Sequence, residues 1–259
     1  MKKLVLIIGV LMLFVVTSSM VYAGQFGPPE PATKEGKVAL GVGYFYYSAK
    51  YKPKDTVNFR EFKGTQNQAY LQLGYGFVKN TEVYLRVGGA DAKVKNAFST
   101  SGNYSGFKSD FEDGLKPFGT IGVKGVFNVS PSFGIGPFLQ ASLYSSYKDK
   151  TSGTYLGNPA TQEEKAKKQR EIDIGVGLQG KIGETIIYGG PVIYWAKHKV
   201  DWTLTTGGVS YPYSTTYKEK NNLGGFAGIR LPLSKGLNLE VEGQLKSRFS
   251  MGGALTYSF

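Results

Sequence analysis

From Lys37 to the final residue the chain alternates apolar and polar positions with a period of two, the spacing of a strand with one oily face. Ten such runs are legible. The first, near 37–47, places Val38, Leu40, Val42, Tyr44 and Tyr46 on one face. Runs near 68–78, 82–92 and 115–128 follow, marked by Leu71, Leu73, Tyr75 and Phe77, by Val83, Leu85 and Val87, and by Ile121, Val123 and Phe127. The fifth, near 133–147, carries Phe133, Ile135, Leu139 and Leu143, and the sixth, near 170–182, carries Ile172, Ile174, Val176 and Leu178. In the seventh, near 186–202, both phases hold apolar groups. Tyr188, Val192, Tyr194 and Ala196 are read as its oily face. The last three, near 221–231, 237–246 and 249–259, are marked by Leu223 and Ile229, by Leu239 and Val241, and by Phe249, Leu255 and Phe259.

The connections add a second rhythm. "KNT", "VSPS", "GET" and "PLSKG" are tight turns by residue type. Between them lie long polar segments near 48–67, 93–114, 148–169 and 203–220. Only the hairpin around Lys246–Arg248 departs from this alternation. Short turns at one end and long loops at the other are the layout of a membrane-spanning barrel. The prediction is an all-β fold, a closed antiparallel transmembrane β-barrel of ten strands, with eight as the alternative count. Within the third long segment, Thr161 and Glu164 have capping-box spacing, so "TQEEKAKKQR" is expected to form one or two helical turns.

Composition decides which side of the barrel is oily. A secreted ligand-binding barrel also alternates, with its apolar face inward. Here the polar face mixes charge with glycine, as a crowded lumen would, and aromatic residues sit at run ends: Phe77, Phe127, Phe133 and Phe259 by the short turns, Tyr46 and Trp202 toward the long loops. That is the spacing of two interfacial girdles around lipid. The N-terminus agrees. Lys2 and Lys3 precede an apolar run from Leu4 to Val16, and Val21-Tyr22-Ala23 fits a cleavage site, so residues 1–23 read as a signal peptide. Residues 24–36, Pro-rich and aperiodic, read as a periplasmic leader, and 37–259 as the barrel.

The closing residues carry a resemblance. Phe249, Met251, Leu255, Tyr257 and Phe259 alternate up to the terminal ring, and with the signal peptide they resemble the C-terminal assembly signal of Gram-negative outer-membrane β-barrel proteins. The layout of the whole mature chain is similar to the small OmpA-like, porin-like class. The resemblance implies an integral outer-membrane location, with termini in the periplasm and long loops outside. It also implies the barrel assembly machinery as a partner that reads Leu255, Tyr257 and Phe259.

Chemistry is sparse. There is no cysteine and one histidine, so no metal or cofactor site is expected. His198 and Asp201 are three apart, hence on opposite faces of a strand. A rim enzyme of the omptin or lipid A-modifying type is accordingly the least favoured reading, and no catalytic residue is assigned. The inward charges are better populated. By alternation Glu82, Arg86, Lys124, Glu171, Asp173, Lys181, Arg230, Glu240, Glu242, Lys246 and Arg248 face inward, five acids and six bases. That near-balance of sign predicts ion pairs that fill or narrow the lumen, with Glu82, Arg86, Lys124, Arg230, Glu240, Glu242 and Arg248 as the lumen network. The net charge of +12 concentrates in the long loops, where Lys50, Lys52, Lys165, Lys167 and Lys168 are candidates for contact with lipopolysaccharide phosphates. Nucleic acid is not an expected partner of a secreted barrel. The function expected is non-enzymatic, in envelope structure or surface binding; a small-solute channel is the second reading.

Overall fold

The computed structural model describes residues 26–54, 61–100 and 102–259, and within them the fold is all-β. The proposed signal peptide lies outside these residues. The strands are β1 (Val38–Pro53), β2 (Phe62–Val78), β3 (Thr81–Val94), β4 (Tyr104–Ser105), β5 (Phe111–Gly125), β6 (Phe127–Ser130), β7 (Phe133–Tyr144), β8 (Tyr147–Tyr155), β9 (Asn158–Ile182), β10 (Thr185–Thr206), β11 (Val209–Glu219), β12 (Leu223–Ser234), β13 (Leu237–Leu245) and β14 (Phe249–Ser258).

Ten of them close a ring of antiparallel ladders, in the order β1, β2, β3, β5, β7, β9, β10, β12, β13, β14 and back to β1. Leu40 lies opposite Tyr257, and Val42 opposite Leu255. β6 continues β5 past Val126 on the same partner, β7. The short turns match their residue types. Asn80, with φ of 63°, turns β2 into β3 in the left-handed region that asparagine tolerates.

The outer wall is apolar at alternate positions. Leu71, Leu85, Ile121, Leu139, Ile174 and Ile187 are all exposed on the ring, while their sequence neighbours point inward. Phe77, Phe127, Phe133 and Phe259 are exposed at the short-turn end. A continuous apolar exterior around a polar interior inverts a soluble barrel and suits hydrocarbon.

Two expectations are corrected. Tyr188, Val192, Tyr194 and Ala196 face inward and are buried; Ile187, Ile193 and Trp195 take the outer wall of β10. Both phases of this strand are apolar, and the larger inner set packs around Phe26 and Phe226. Residues 161–170 are not helical. They extend β9, with β8 hydrogen-bonded along one side and β10 along the other. Pairing on both edges outweighs a marginal one-turn helix. β9 thus runs 25 residues, against the roughly 9–11 needed to cross a bilayer. The β8–β9 and β10–β11 hairpins stand well beyond the apolar belt.

Candidate functional site

The lumen is occupied by the chain's own leader. Residues 35 and 36 bridge to Gly76 beside the β2–β3 turn, so the leader enters from the short-turn end. It then climbs inside the ring. The Ala32 N–H donates to Glu82 Oε2 (2.5 Å) and the Glu30 N–H to Gln179 Oε1 (2.8 Å). The N–H groups of Gly27 and Phe26 donate to the two oxygens of Glu242, at 2.8 and 3.2 Å. Positions 28, 29 and 31 are prolines. From 26 to 32, therefore, every residue that has an N–H finds a side-chain acceptor, and those that would not have none to satisfy. Arg230 donates to the carbonyls of Glu30 (3.1 Å) and Pro31 (3.3 Å). Pro29 fits because residues 136 and 177 are glycine; a Cβ on Gly177 would come within 2.6 Å of its ring. At the top, Phe26 is buried against Phe138 and Phe226, with ring centroids 4.5 and 5.1 Å away.

Around the leader, six of the seven residues read as lumen charges, Glu82, Arg86, Lys124, Arg230, Glu240 and Glu242, are buried inside the ring. Arg230 and Glu240 form an ion pair at 2.6 Å between adjacent strands. Arg86 donates to Gln72 and lies over the rings of Tyr70 and Tyr84. Arg248 is half-buried at the last hairpin and donates to Ser48. The strongest cluster is made by three of the other inward charges: Lys246, fully enclosed, is bound to Glu171 and, at 2.6 Å, to Asp173. The charges do not balance by pairing alone. Seven carboxyls are buried against four bases, and Glu242 and Glu82 take their donors from the leader's backbone. The leader itself was not foreseen as part of the lumen; its spacing of prolines was the available signal.

Above this plug, at the long-loop end, the interior changes character. Tyr47, Tyr51, Phe111, Tyr147 and Tyr217 are buried there, around a cavity of about 50 Å³. His198 sits at a bulge in β10, edge-on to Tyr51 and stacked on Tyr217. Its Nδ1 is enclosed without a hydrogen-bond partner, and burial holds the imidazole down to about 4. Asp201 faces outward to Lys167 and Ser214, so the histidine has no acid partner from its own strand. Among the described residues no cluster of histidine and acids is arranged to hold a metal.

On the outer face, just beyond the apolar belt, four bases stand directly opposite one another across four strands: Arg170 on β9, Lys197 on β10, Lys218 on β11 and Lys52 on β1. Each points outward, and Arg170 and Lys197 lie one outward position above Ile172 and Trp195. Lys50 is opposite Lys63 in the next row. Of the lysines read from sequence, Lys52 is in the row and Lys50 beside it; Lys165 and Lys168 are exposed higher on β9, and Lys167 is paired with Asp201. Leu255 and Tyr257 lie on the outer face of β14, where the Phe259 N–H donates to Val38.

No family model and no curated sequence matches the chain. Among solved structures it is similar to the outer membrane protease OmpT of Escherichia coli, with a TM-score of 0.51 and 10% identity over 86% of this chain and 97% of that one. The translocator domain of the autotransporter NalP of Neisseria meningitidis follows at 0.43 and 9%, covering 86% and 88%, a likeness too loose to carry weight. The fold is that of the outer-membrane β-barrels, a fold shared by proteins of unlike activity.

Proposed function

We propose that the protein is a ten-stranded barrel of a Gram-negative outer membrane, closed along its axis and without enzymatic activity. Its short turns and termini face the periplasm. It works at the outer rim, where the row from Arg170 to Lys52 holds the phosphates of lipopolysaccharide. The observation that carries this reading is the leader inside the lumen, hydrogen-bonded at residues 26, 27, 30 and 32 to side chains of the barrel wall. A solute channel needs that space. The enclosed histidine without an acid partner supports the absence of rim catalysis.

The rim reading rests on electrostatics. Like charges directly opposite each other on a sheet repel. Four in a row at headgroup depth are favourable only with an anion between them, and phosphate is the anion a bilayer surface offers.

Single-channel recording in planar bilayers tests closure. The wild type should pass no steady current. Gly177→Val places a side chain where Pro29 packs, so it should push the leader aside and produce openings. A wild type that conducts steadily would overturn the closed-barrel reading.

A further inference from the structure

Glu164 stands apart from every other buried acid of the protein. It projects from β9 into the outer chamber, is only 6% exposed, and makes no hydrogen bond or ion pair with any described residue. Glu82, Glu171, Asp173, Glu219, Glu240 and Glu242 each have at least one partner. Its oxygens, unlike the enclosed Oε1 atoms of Glu82 and Gln244, open onto the cavity, so the carboxylate presents a face there that no described side chain fills, and a charge held in a cleft without a partner marks a binding site.

The surroundings say what that something is. The cavity beside Glu164 is walled by Tyr51, Phe62, Phe111 and Tyr147, which offer π faces and apolar edges. Gln66 and Gln169, bonded to each other, add two amides at its side. Lys93 also reaches the lining, but its ammonium lies 3.9 Å from Glu112 at the exposed edge. An aromatic wall with one buried carboxylate is complementary to a desolvated organic cation, through cation–π attraction and a single ion pair. The volume, about 50 Å³, limits the cation to one carbon or two. A divalent metal would find only Glu164 and an enclosed imidazole, too few ligands for a stable site.

We infer that the outer chamber binds a small alkylammonium ion, with Glu164 as its counter-ion and the ring of Tyr51 as part of its wall. This goes beyond the rim reading and does not depend on it. Lipopolysaccharide would meet the outer face of the barrel, the ammonium its interior.

Trp202 supplies a reporter. Expected from sequence in the outer girdle, it instead shares the inner phase of β10 with Val200 and Leu204 and lies opposite Glu164 in the β9–β10 register, while the other tryptophan, Trp195, is on the lipid-facing wall. In folded Trp195→Phe protein, methylammonium chloride titrated at pH 8.5 should give a saturable fluorescence change. Sodium chloride at equal ionic strength should not, and tetramethylammonium should be excluded by size. Glu164→Gln in the same background should weaken binding at least tenfold. Ala166→Leu, which narrows the chamber and leaves the carboxylate in place, should do likewise. Heat-modifiable mobility on gels verifies that each variant is folded. A response that sodium reproduces, or one that survives both substitutions, would overturn the inference and leave the chamber a water pocket.

Discussion

The lower lumen and the outer chamber lie in the same ring and bury acids to the same extent, yet they treat them in opposite ways. Below, Glu242 receives two backbone N–H groups of the leader and the amide of Gln244, and Asp173 receives Lys246 and Gln140. Above, Glu164 receives no donor from any described residue. The difference shows which part of the molecule is finished as folded and which is left open. The lower network bonds every one of its acids, although Glu82 Oε1 and Gln244 Oε1 have no described partner, and a network so connected fixes a structure. An unsatisfied carboxylate against aromatic rings costs stability and keeps a place for a ligand. Lipid contact is common to both levels and does not explain the contrast. What differs among the described residues is that the leader's N–H groups and Arg230 contacts serve the lower level, from Phe26 to Ala32.

The largest expected effect comes from breaking the closed half. Lys246→Met preserves length and removes the only base that, among the described residues, pairs with Glu171 and Asp173. Deleting one partner of a buried ion group costs ~3–5 kcal/mol. The urea midpoint of the folded barrel should fall accordingly. Adding Glu171→Gln and Asp173→Asn should recover most of the loss. A single variant as stable as wild type would mean that water already reaches the cluster.

The open half should respond in the other direction. Burial, with Asp149 nearby, pushes the Glu164 carboxyl from its ordinary 4.5 up to about 8. The folded state then holds a proton that the unfolded chain gives up, so stability falls as pH rises from about 4.5 through 8. Asp149 and Tyr147 on β8, His198 on β10, Tyr217 on β11, Tyr47 and Tyr51 on β1 and Lys93 on β3 face this region, and all remain in the variant. Glu164→Gln should be more stable than wild type at pH 9, by no more than the shift from 4.5 to about 8 allows. The two should converge at pH 4, where both side chains are neutral. Equal stability across that range would place Glu164 in solvent and remove the contrast between the two halves.

How much of this was legible follows from what each feature depends on. The outward faces of β2 and β3 read directly, because Leu71, Leu73, Val83 and Leu85 alternate with glycine and polar groups. Strand β10 did not, because Tyr188 and Tyr194 are as apolar as Ile187 and Ile193, and only Phe26 in the lumen decides between them. The leader has no period, so no strand pattern could place it. Its prolines mark N–H groups removed in advance, which is interpretable only once Glu242, Gln179 and Glu82 are seen to consume the rest. The basic row was hidden for a different reason. Arg170, Lys197, Lys218 and Lys52 are spread over more than a hundred residues, and only the register of β9, β10, β11 and β1 lines them up. Loop composition pointed to basic charge in these segments and to Lys52, and to neighbours such as Lys165 and Lys167 rather than to the row itself.

The smallest effect tests that row, through its sign. Lys218 lies between Lys197 and Lys52, so Lys218→Gln relieves two repulsive neighbours at once. In a neutral detergent the variant should be more stable than wild type, by about 0.2–1 kcal/mol, the scale of cross-strand pairs. The gain should shrink as salt screens the charges. In bilayers containing lipopolysaccharide the order should reverse, because the wild-type row then has phosphate between its bases and the variant has lost a donor. Unfolding midpoints of both proteins, measured in detergent and in lipopolysaccharide bilayers, give the four values needed. A variant more stable in both media would leave the row a cost without a ligand. A variant less stable in both would mean that Lys218 packs its methylene stem against the wall of the β10–β11 hairpin and that its charge is incidental.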